Sequence, residues 1–278
     1  MRLKKGTIVF SIVIVVLLVL IVFMINNILN KGTKEVIVAK KFIENLSDSN
    51  IIEEYKNNSK IDEEATLNKL ANKSSQIQYS VIVGNYGVDI DKDYNVLGFS
   101  NKNLGSTSTN EVIDEKKAIN LATKYVNEIT NDEFKFKEVR SREEGNSPCY
   151  NIVFYKCKDG YPYYKQEISA VIDKSKGKLE GYSNYPLDHI KHIKEINIDE
   201  VKAGEIAKGH FVNLNFKVST LENPMIAFVA VKDNEMVLSY IYNVKVINND
   251  KKEEVYSICV RADSGEVINF NLDAVAIN

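Results

Sequence analysis

The sequence predicts an α+β protein: an N-terminal transmembrane helix followed by tandem units in which a helix packs on an antiparallel sheet. Three observations lead to this prediction. A long apolar run lies near the N-terminus, a β-hairpin pattern occurs three times in the remaining chain, and the two later copies are each preceded by an amphipathic helix pattern. Repetition of a whole helix-and-hairpin arrangement indicates small repeated domains rather than a solenoid, whose units are about 20–50 residues long.

The apolar run extends from Ile8 to Ile25 and is interrupted by a single serine. A helix of about 20 residues spans about 30 Å, the thickness of a membrane hydrocarbon core. Arg2, Lys4 and Lys5 precede the run, so the positive-inside rule places the N-terminus in the cytoplasm. A cleaved signal peptide is the alternative, but its small-residue cleavage site is missing here. We therefore predict a single-pass anchor in the cell membrane through residues 8–29, with the C-terminal region extracytoplasmic.

The charge of the chain after this anchor argues against nucleic acid as a partner. The chain has 36 Lys and Arg and 38 Asp and Glu, and three of the basic residues precede the anchor. The remainder therefore carries 33 − 38 = −5. Nucleic-acid-binding surfaces need an excess of positive charge.

The cysteines do not indicate a disulfide framework, because there are three of them, an odd number. Cys149 and Cys157 lie in one strand-like run. Eight strand residues span about 26 Å, whereas the Cα atoms of a disulfide lie about 6 Å apart. Free and mostly buried thiols are therefore predicted at these positions and at Cys259.

Apolar residues at three- and four-residue steps predict helices over residues 34–55, 62–71, 114–129 and 199–211. The last two align without a gap, and five of thirteen positions are identical. Asp114 and Asp199 open these two helices, where an aspartate can cap exposed backbone amides. The alignment predicts two copies of one packing unit.

Runs of β-prone residues predict strands, and one of them shows a clear apolar face formed by Ile168, Ala170 and Ile172. The predicted strands cover residues 77–83, 133–140, 150–156, 167–173, 178–182, 226–231, 236–247 and 255–262.

The three hairpin patterns share an aspartate at the turn: Asp91, Asp173 and Asp263. Asp can accept hydrogen bonds from turn amides, and glycine can take the positive φ that tight turns require. We therefore assign these aspartates, with Gly177 and Gly265, a structural role in the turns. Gly177→Val is expected to lower the melting temperature more than Asp173→Ala.

The repeat pattern predicts four segments along the chain. Residues 1–30 form a cytoplasmic tip and the anchor, residues 31–103 a degenerate first α+β unit, residues 111–186 a second unit and residues 197–278 a third. A polar stretch at 104–110 separates the first and second units.

The repeated residues resemble the PepSY superfamily of exported bacterial domains. The resemblance rests on the helix motif Asp-Glu-x-Lys-Ala-x-x-x-Ala at 114–122 and 199–207, and on Ile172-Asp-x-x-x-Gly-x-Leu-x-x-Tyr182. The segment Gly160–Asp173 is similar to YcdB/YcdC-type repeats, and the anchored architecture resembles YpeB-like sporulation and germination proteins. The match extends well over 114–271 and loosely over 35–101. It implies a helix on an antiparallel sheet outside the membrane, often linked to peptidase control or cell-wall enzymes, without catalytic residues.

No catalytic, cofactor-binding or metal-binding residue is predicted. His189 and His192 lack the glutamate and third ligand of a zinc-protease motif, so a solvated linker is favoured there. Asp89, Asp91 and Asp93 come nearest to a calcium loop, but the remaining oxygen ligands are missing and turn capping is favoured.

Partner binding is the function that this pattern favours. Tyr161, Tyr163 and Tyr164 are the candidate contact residues, because tyrosine combines a large apolar area with a polar tip. Packing of one face of this strand under a helix is the alternative.

We predict a non-catalytic binding or regulatory module that restrains or scaffolds an exported peptidase, a cell-wall hydrolase or a sensor, so its partner is another envelope protein. The outline is also similar to the YycH/YycI regulators of a cell-wall sensor kinase. An exported hydrolase is a further alternative.

Overall fold

The computed structural model describes residues 34–55, 63–67, 76–103, 113–140, 147–187, 189–232, 234–247 and 252–272. The anchor predicted at residues 8–29 and the linker predicted at 104–110 lie outside these ranges. Within them, no helix is both long enough and apolar enough to span a membrane.

The described ranges contain three helices and fourteen strands. The helices are α1 (Lys34–Asp48), α2 (Glu115–Ile129) and α3 (Glu200–Asn213). The first strands are β1 (Glu63–Leu67), β2 (Tyr79–Val83), β3 (Tyr86–Ile90), β4 (Val96–Asn101), β5 (Glu133–Arg140), β6 (Cys149–Lys158), β7 (Tyr161–Asp173) and β8 (Leu179–Asn184). The later strands are β9 (Lys191–Ile193), β10 (Lys217–Leu221), β11 (Met225–Lys232), β12 (Glu235–Ile247), β13 (Glu253–Arg261) and β14 (Val267–Leu272).

The fold class predicted from the sequence is wrong for the described chain. It contains no membrane-spanning helix, and its strands form a large mixed sheet rather than tandem helix-on-antiparallel-sheet units. β7 runs parallel to β11, with Tyr163 opposite Phe228, and β9 runs parallel to β12. Repeated motifs specify local hairpins and helices, but parallel pairing joins segments that no hairpin turn connects.

The helix predicted over 62–71 is also wrong. Residues 63–67 form β1, which pairs antiparallel with β2. The spacing of Leu67 and Leu70 fits a helical face, but short apolar patterns do not separate helices from strands. Pairing with a neighbouring strand decides the conformation of this segment.

The described chain forms two compact units. The first comprises residues up to Asp114 together with Val171–Tyr185, and the second comprises Glu115–Ala170 with the residues from Pro186 onward. This division differs from the repeat-based segments 31–103, 111–186 and 197–278. The difference arises because β8, which follows β7 in the hairpin of the second repeat, also pairs with β4.

In the first unit, five antiparallel strands follow the order β1-β2-β3-β4-β8. Helix α1 contacts β2, β3 and β4. Its apolar positions Val36, Ala39, Ile43 and Leu46 are buried, as their helical spacing predicts. Further buried apolar side chains complete this core: Ile51, Ile52, Val81, Val83, Tyr86, Val88, Ile90, Leu97, Phe99, Leu179 and Tyr182.

In the second unit, α2 contacts β5 and β6, and α3 contacts β10, β12 and β13. Asp199 caps α3, because its carboxylate accepts a hydrogen bond of 2.8 Å from the backbone N–H of Lys202. Two tyrosines of β12 hold the start of this helix: Tyr240 donates to the carbonyl of Ile198 and Tyr242 to that of Glu200.

The aligned helices α2 and α3 bury equivalent positions. Their paired alanines, Ala118 with Ala203 and Ala122 with Ala207, are fully buried, and so are Val126 and its counterpart Phe211. Small residues at these positions let each helix lie close to its sheet. The sequence alignment therefore identified the packed face of both helices correctly.

Candidate partner-binding site

The tyrosines at 161–164 do not form one exposed surface. Tyr163 is 6% exposed and belongs to the core of the second unit. Its ring lies 5.5 Å from that of Phe228, and its hydroxyl oxygen lies 2.8 Å from Nε2 of His192. Tyr163 is therefore a core residue with a satisfied polar tip.

The two other tyrosines are partly buried against different clusters. Tyr161 packs against the same core as Tyr163 and meets Phe228 edge to face. Tyr164 packs against a second, smaller cluster of Ala227, Val229, Ile241 and Cys259. Alternation along a strand sends neighbouring residues to opposite faces, which agrees with this separation.

The two linker histidines have different surroundings. His189 is exposed in a turn, whereas the ring of His192 lies 4.9 Å from that of Phe228. Burial, together with the positive charges of Lys158 and Lys194, lowers the pKa of His192 below its ordinary value. The solvated-linker prediction is therefore wrong for His192, whose ring packs against Tyr163 and Phe228.

The first two hairpin aspartates cap their turns. In the β3–β4 turn, the Asp91 carboxylate accepts hydrogen bonds from the backbone N–H groups of Asp93 and Asn95, at 2.8 and 2.7 Å. In the β7–β8 turn, the Asp173 carboxylate accepts from the N–H groups of Ser175 and Lys176, at 2.8 and 2.6 Å. The Ser175 hydroxyl donates a third bond of 2.6 Å to Asp173.

The third hairpin has the same turn with a different residue at the aspartate position. In the β7–β8 turn, the N–H of Gly177 donates to the carbonyl of Asp173. In the β13–β14 turn, the N–H of Gly265 donates to the carbonyl of Arg261. Arg261 is therefore the counterpart of Asp173, and Asp263 stands two residues further on. Its carboxylate instead accepts two hydrogen bonds from the Arg261 guanidinium, at 2.9 and 2.7 Å.

We expect Gly177→Val to destabilise the protein more than Asp173→Ala. Loss of the Asp173 carboxylate removes charge-assisted hydrogen bonds and should cost about 2 kcal/mol. Gly177 has a φ of 69°, which a β-branched residue adopts only with strain. Valine therefore displaces the turn and weakens the Asp173 bonds as well. The melting temperatures of the two variants test this order, and a lower value for Asp173→Ala would contradict it.

The acidic residues of the β3–β4 hairpin do not converge on one point. Asp89 accepts a hydrogen bond from the Ser80 hydroxyl, and Asp91 faces into the turn. Asp93 lies 3.8 Å from the ammonium group of Lys92. Across the described residues, no group of three or more His, Cys, Asp or Glu side chains is placed to hold a metal ion.

All three cysteines are free thiols, as the sequence predicts. Cys157 and Cys259 are buried and Cys149 is partly buried. Cys149 and Cys157 lie at opposite ends of β6. Burial raises the pKa of the Cys157 thiol, which keeps it protonated and unreactive at neutral pH.

The outward side of α3 carries exposed apolar side chains. Val201 is 73% exposed and Val212 is 59% exposed. They are eleven residues apart, which is about three helical turns, so they lie on the same side of the helix. Leu214 follows the helix and is 44% exposed. The sheet-facing side of α3 is apolar as well, so this helix has apolar residues on two sides.

The equivalent positions of α2 are polar. In the gapless alignment of the two helices, Val201 corresponds to Lys116. Extension of the alignment by one residue beyond its thirteen positions sets Val212 against Asn127, and both polar residues are exposed. The two helices therefore share a packed face and differ on the outward face. The sequences of the two helices contain this contrast, but a motif-based prediction does not single out valine, because its side chain has no titratable or ligating group.

Comparisons with known proteins give only a weak structural similarity and no family match. No family model and no curated protein matches the chain. A solved structure, the C-terminal domain of YpeB from Bacillus megaterium, is similar with a TM-score of 0.45 and 16% sequence identity. The similarity covers 83% of this chain and 96% of that domain. A likeness at this level does not assign the chain to a family.

Proposed function

We propose that this chain is a non-catalytic binding module that contacts another envelope protein through the outward side of α3. The observation that carries the proposal is the contrast between the repeated helices. Their buried positions are equivalent, but α3 exposes Val201 and Val212 where α2 exposes Lys116 and Asn127. Single exposed apolar residues are common on protein surfaces, whereas apolar residues aligned on one helix side suit a protein contact.

The surroundings of these valines also suit a protein contact. Glu205 and Lys208 are exposed on the same side of the helix between the two valines, so a partner that covers the valines also meets one acidic and one basic side chain. Burial of one valine side chain contributes about 1.5 kcal/mol or more. Two valines then account for on the order of a hundredfold in affinity, since a tenfold change corresponds to about 1.4 kcal/mol.

The partner we propose is an exported peptidase, a cell-wall hydrolase or a membrane-bound sensor. This choice follows from the predicted anchor at residues 8–29 and the extracytoplasmic location that it implies. An anchor confines this chain to the membrane surface and raises its effective concentration toward a partner held at the same surface, so a modest affinity is sufficient for binding. A regulator of a sensor kinase falls within the same proposal.

Crosslinking in the native host tests the contact directly. A photoreactive residue at position 201 or 212 of the full chain should crosslink to one specific envelope protein, which mass spectrometry identifies. The same residue at 116 or 127 is the matched control, because these positions are equally placed on α2. Equal crosslinking from both helices would contradict the α3 surface.

A second test measures the partner affinity of a variant in which the exposed valines of α3 are replaced by the corresponding residues of α2. The double variant Val201→Lys, Val212→Asn gives α3 the outward residues of α2. We expect on the order of a hundredfold weaker binding to the identified partner, with an unchanged melting temperature because both side chains are exposed. Turnover of a peptide or glycan by the purified chain, without partner capture, would instead favour the exported hydrolase.

A further inference from the structure

The first unit contains a carboxyl group in an unusual position. Glu180 lies on β8 and is 8% exposed. The pairing of β8 with β4 sets Gly181 opposite Ser100, so Glu180 stands opposite Asn101 at the end of the ladder. The Asn101 side-chain amide donates a hydrogen bond of 2.6 Å to the Glu180 carboxyl. This cross-strand bond links two segments that are 79 residues apart in the chain.

The Asn101 amide is held in one orientation. Its oxygen accepts a hydrogen bond of 2.9 Å from the backbone N–H of Asn103, which leaves its NH₂ group to face Glu180. An acceptor is therefore required at position 180, and both the neutral and the ionised carboxyl supply one. The two forms differ in their charge, and the surroundings decide which form is favoured.

The charged and titratable groups around Glu180 are mostly acidic. Asp173 is buried in the β7–β8 turn and Glu53 lies in the segment after α1, and the negative charges of both disfavour ionisation of Glu180. Lys176 is the countercharge, but it lies 3.6 Å from Glu53 and is about half exposed. The buried hydroxyl of Tyr86 lies near the same acidic residues. Burial raises the pKa of Tyr86 to about 12, and the charges of Glu180 and Glu53 contribute to this shift.

We propose that protonation of Glu180 controls how firmly β8 is held against β4 in the first unit. The neutral carboxyl keeps the Asn101 hydrogen bond without placing a third negative charge beside Asp173 and Glu53. The ionised carboxyl keeps the bond but has lost most of its water. Among the described strands of this unit, β8 comes from a distant part of the chain, so a weaker β4–β8 ladder exposes the edge of β4.

The direction of the pKa shift of Glu180 determines how the stability of the first unit depends on pH. Burial, with the charges of Asp173 and Glu53, raises the pKa of Glu180 above its ordinary value, against the opposing effects of Asn101 and Lys176. The folded unit therefore binds the proton more tightly than the unfolded chain does. The contribution of Glu180 to the stability of the unit is fully present below the unfolded pKa of about 4.3 and is lost as the pH rises through the folded pKa.

Hydrogen exchange on the full chain in detergent tests the proposal at the strand itself. After correction for the intrinsic rate, exchange of the β8 amides should accelerate as the pH rises from about 4 to 8, by up to tenfold for each unit of pKa displacement. In Glu180→Gln, which keeps an acceptor for Asn101 without the charge, the acceleration should disappear and protection at pH 8 should exceed that of the wild type. Glu54→Gln, at an exposed position of the same unit, should behave as the wild type.

A titration of the unaltered chain provides an independent measurement. NMR of ¹³C-labelled glutamate carboxyls should show one group titrating above the ordinary range, and the Glu180→Gln spectrum should lack it. An ordinary pKa for this group would overturn the proposal. So would a Glu180→Gln variant that is less protected than the wild type at every pH, because the charge would then stabilise the β4–β8 ladder.

Discussion

Replacement of Gly98 by alanine is expected to destabilise the first unit by about 3 kcal/mol, which is at the upper end of ordinary overpacking effects. Gly98 lies on β4 opposite Ser183 of β8. A Cβ atom at this position would lie 2.4 Å from the carbonyl oxygen of Tyr182 and 3.1 Å from the Cα of Ser183. Both atoms belong to the backbone, so no side chain can rotate away and the two strands must separate.

Gly209→Ala is the matched control for this variant. Gly209 lies within α3, and an added Cβ would meet no atom within 4 Å. Alanine is the better helix former, so we expect a gain of up to about 1 kcal/mol. Urea unfolding monitored by hydrogen exchange of β4 and of α3 separates the two units. An unchanged first unit in Gly98→Ala would contradict the close approach of β4 and β8.

Replacement of Tyr163 by serine is expected to destabilise the second unit by about 3–5 kcal/mol, as for other buried aromatic residues. The ring fills space beside Phe228 and His192 in the core, and serine leaves a cavity there. Tyr163→Phe removes only the hydroxyl group that contacts His192 and should cost about 1 kcal/mol. Thermal unfolding of both variants measures the difference.

The Tyr163→Ser variant also tests whether the tyrosine segment at 161–164 binds the partner. If Tyr163→Ser folds as stably as the wild type but captures less partner, the segment at 161–164 is the contact surface after all. Tyr164→Ser is the companion variant, because Tyr164 is only partly buried and packs against a different cluster. We expect it to lose less stability than Tyr163→Ser.

Helices and strands were predictable from the sequence wherever the spacing of apolar residues determines the local structure. Helical spacing identified the buried sides of α1, α2 and α3, and alternation identified Ile168, Ala170 and Ile172 on β7. Pairing between distant strands was not predictable. The hairpin motif indicates β7 as one neighbour of β8, but nothing in the residues of β8 indicates β4 as the other.

The candidate sites were harder to predict because residue type does not determine burial. On β7, the buried residue before Lys165 is Tyr163, at an odd position. The buried apolar residues after Lys165 are Ile168, Ala170 and Ile172, at even positions. Lys165 has a φ of 68°, an irregularity that shifts the alternation by one residue. A regular strand would have predicted a different set of buried tyrosines. Glu180 gives no sequence signal, since its properties depend on burial by residues far away in the chain.

The interleaving of the two units has a consequence for biosynthesis. A chain that emerges N-terminus first exposes α1 and β1–β4 long before residues 171–185 are available to supply β8. Until then, β4 is an open strand edge, the kind of edge that invites pairing with other chains. The first unit therefore completes its sheet only after residues 171–185 have been synthesised, and a chain that stops before residue 171 cannot finish it.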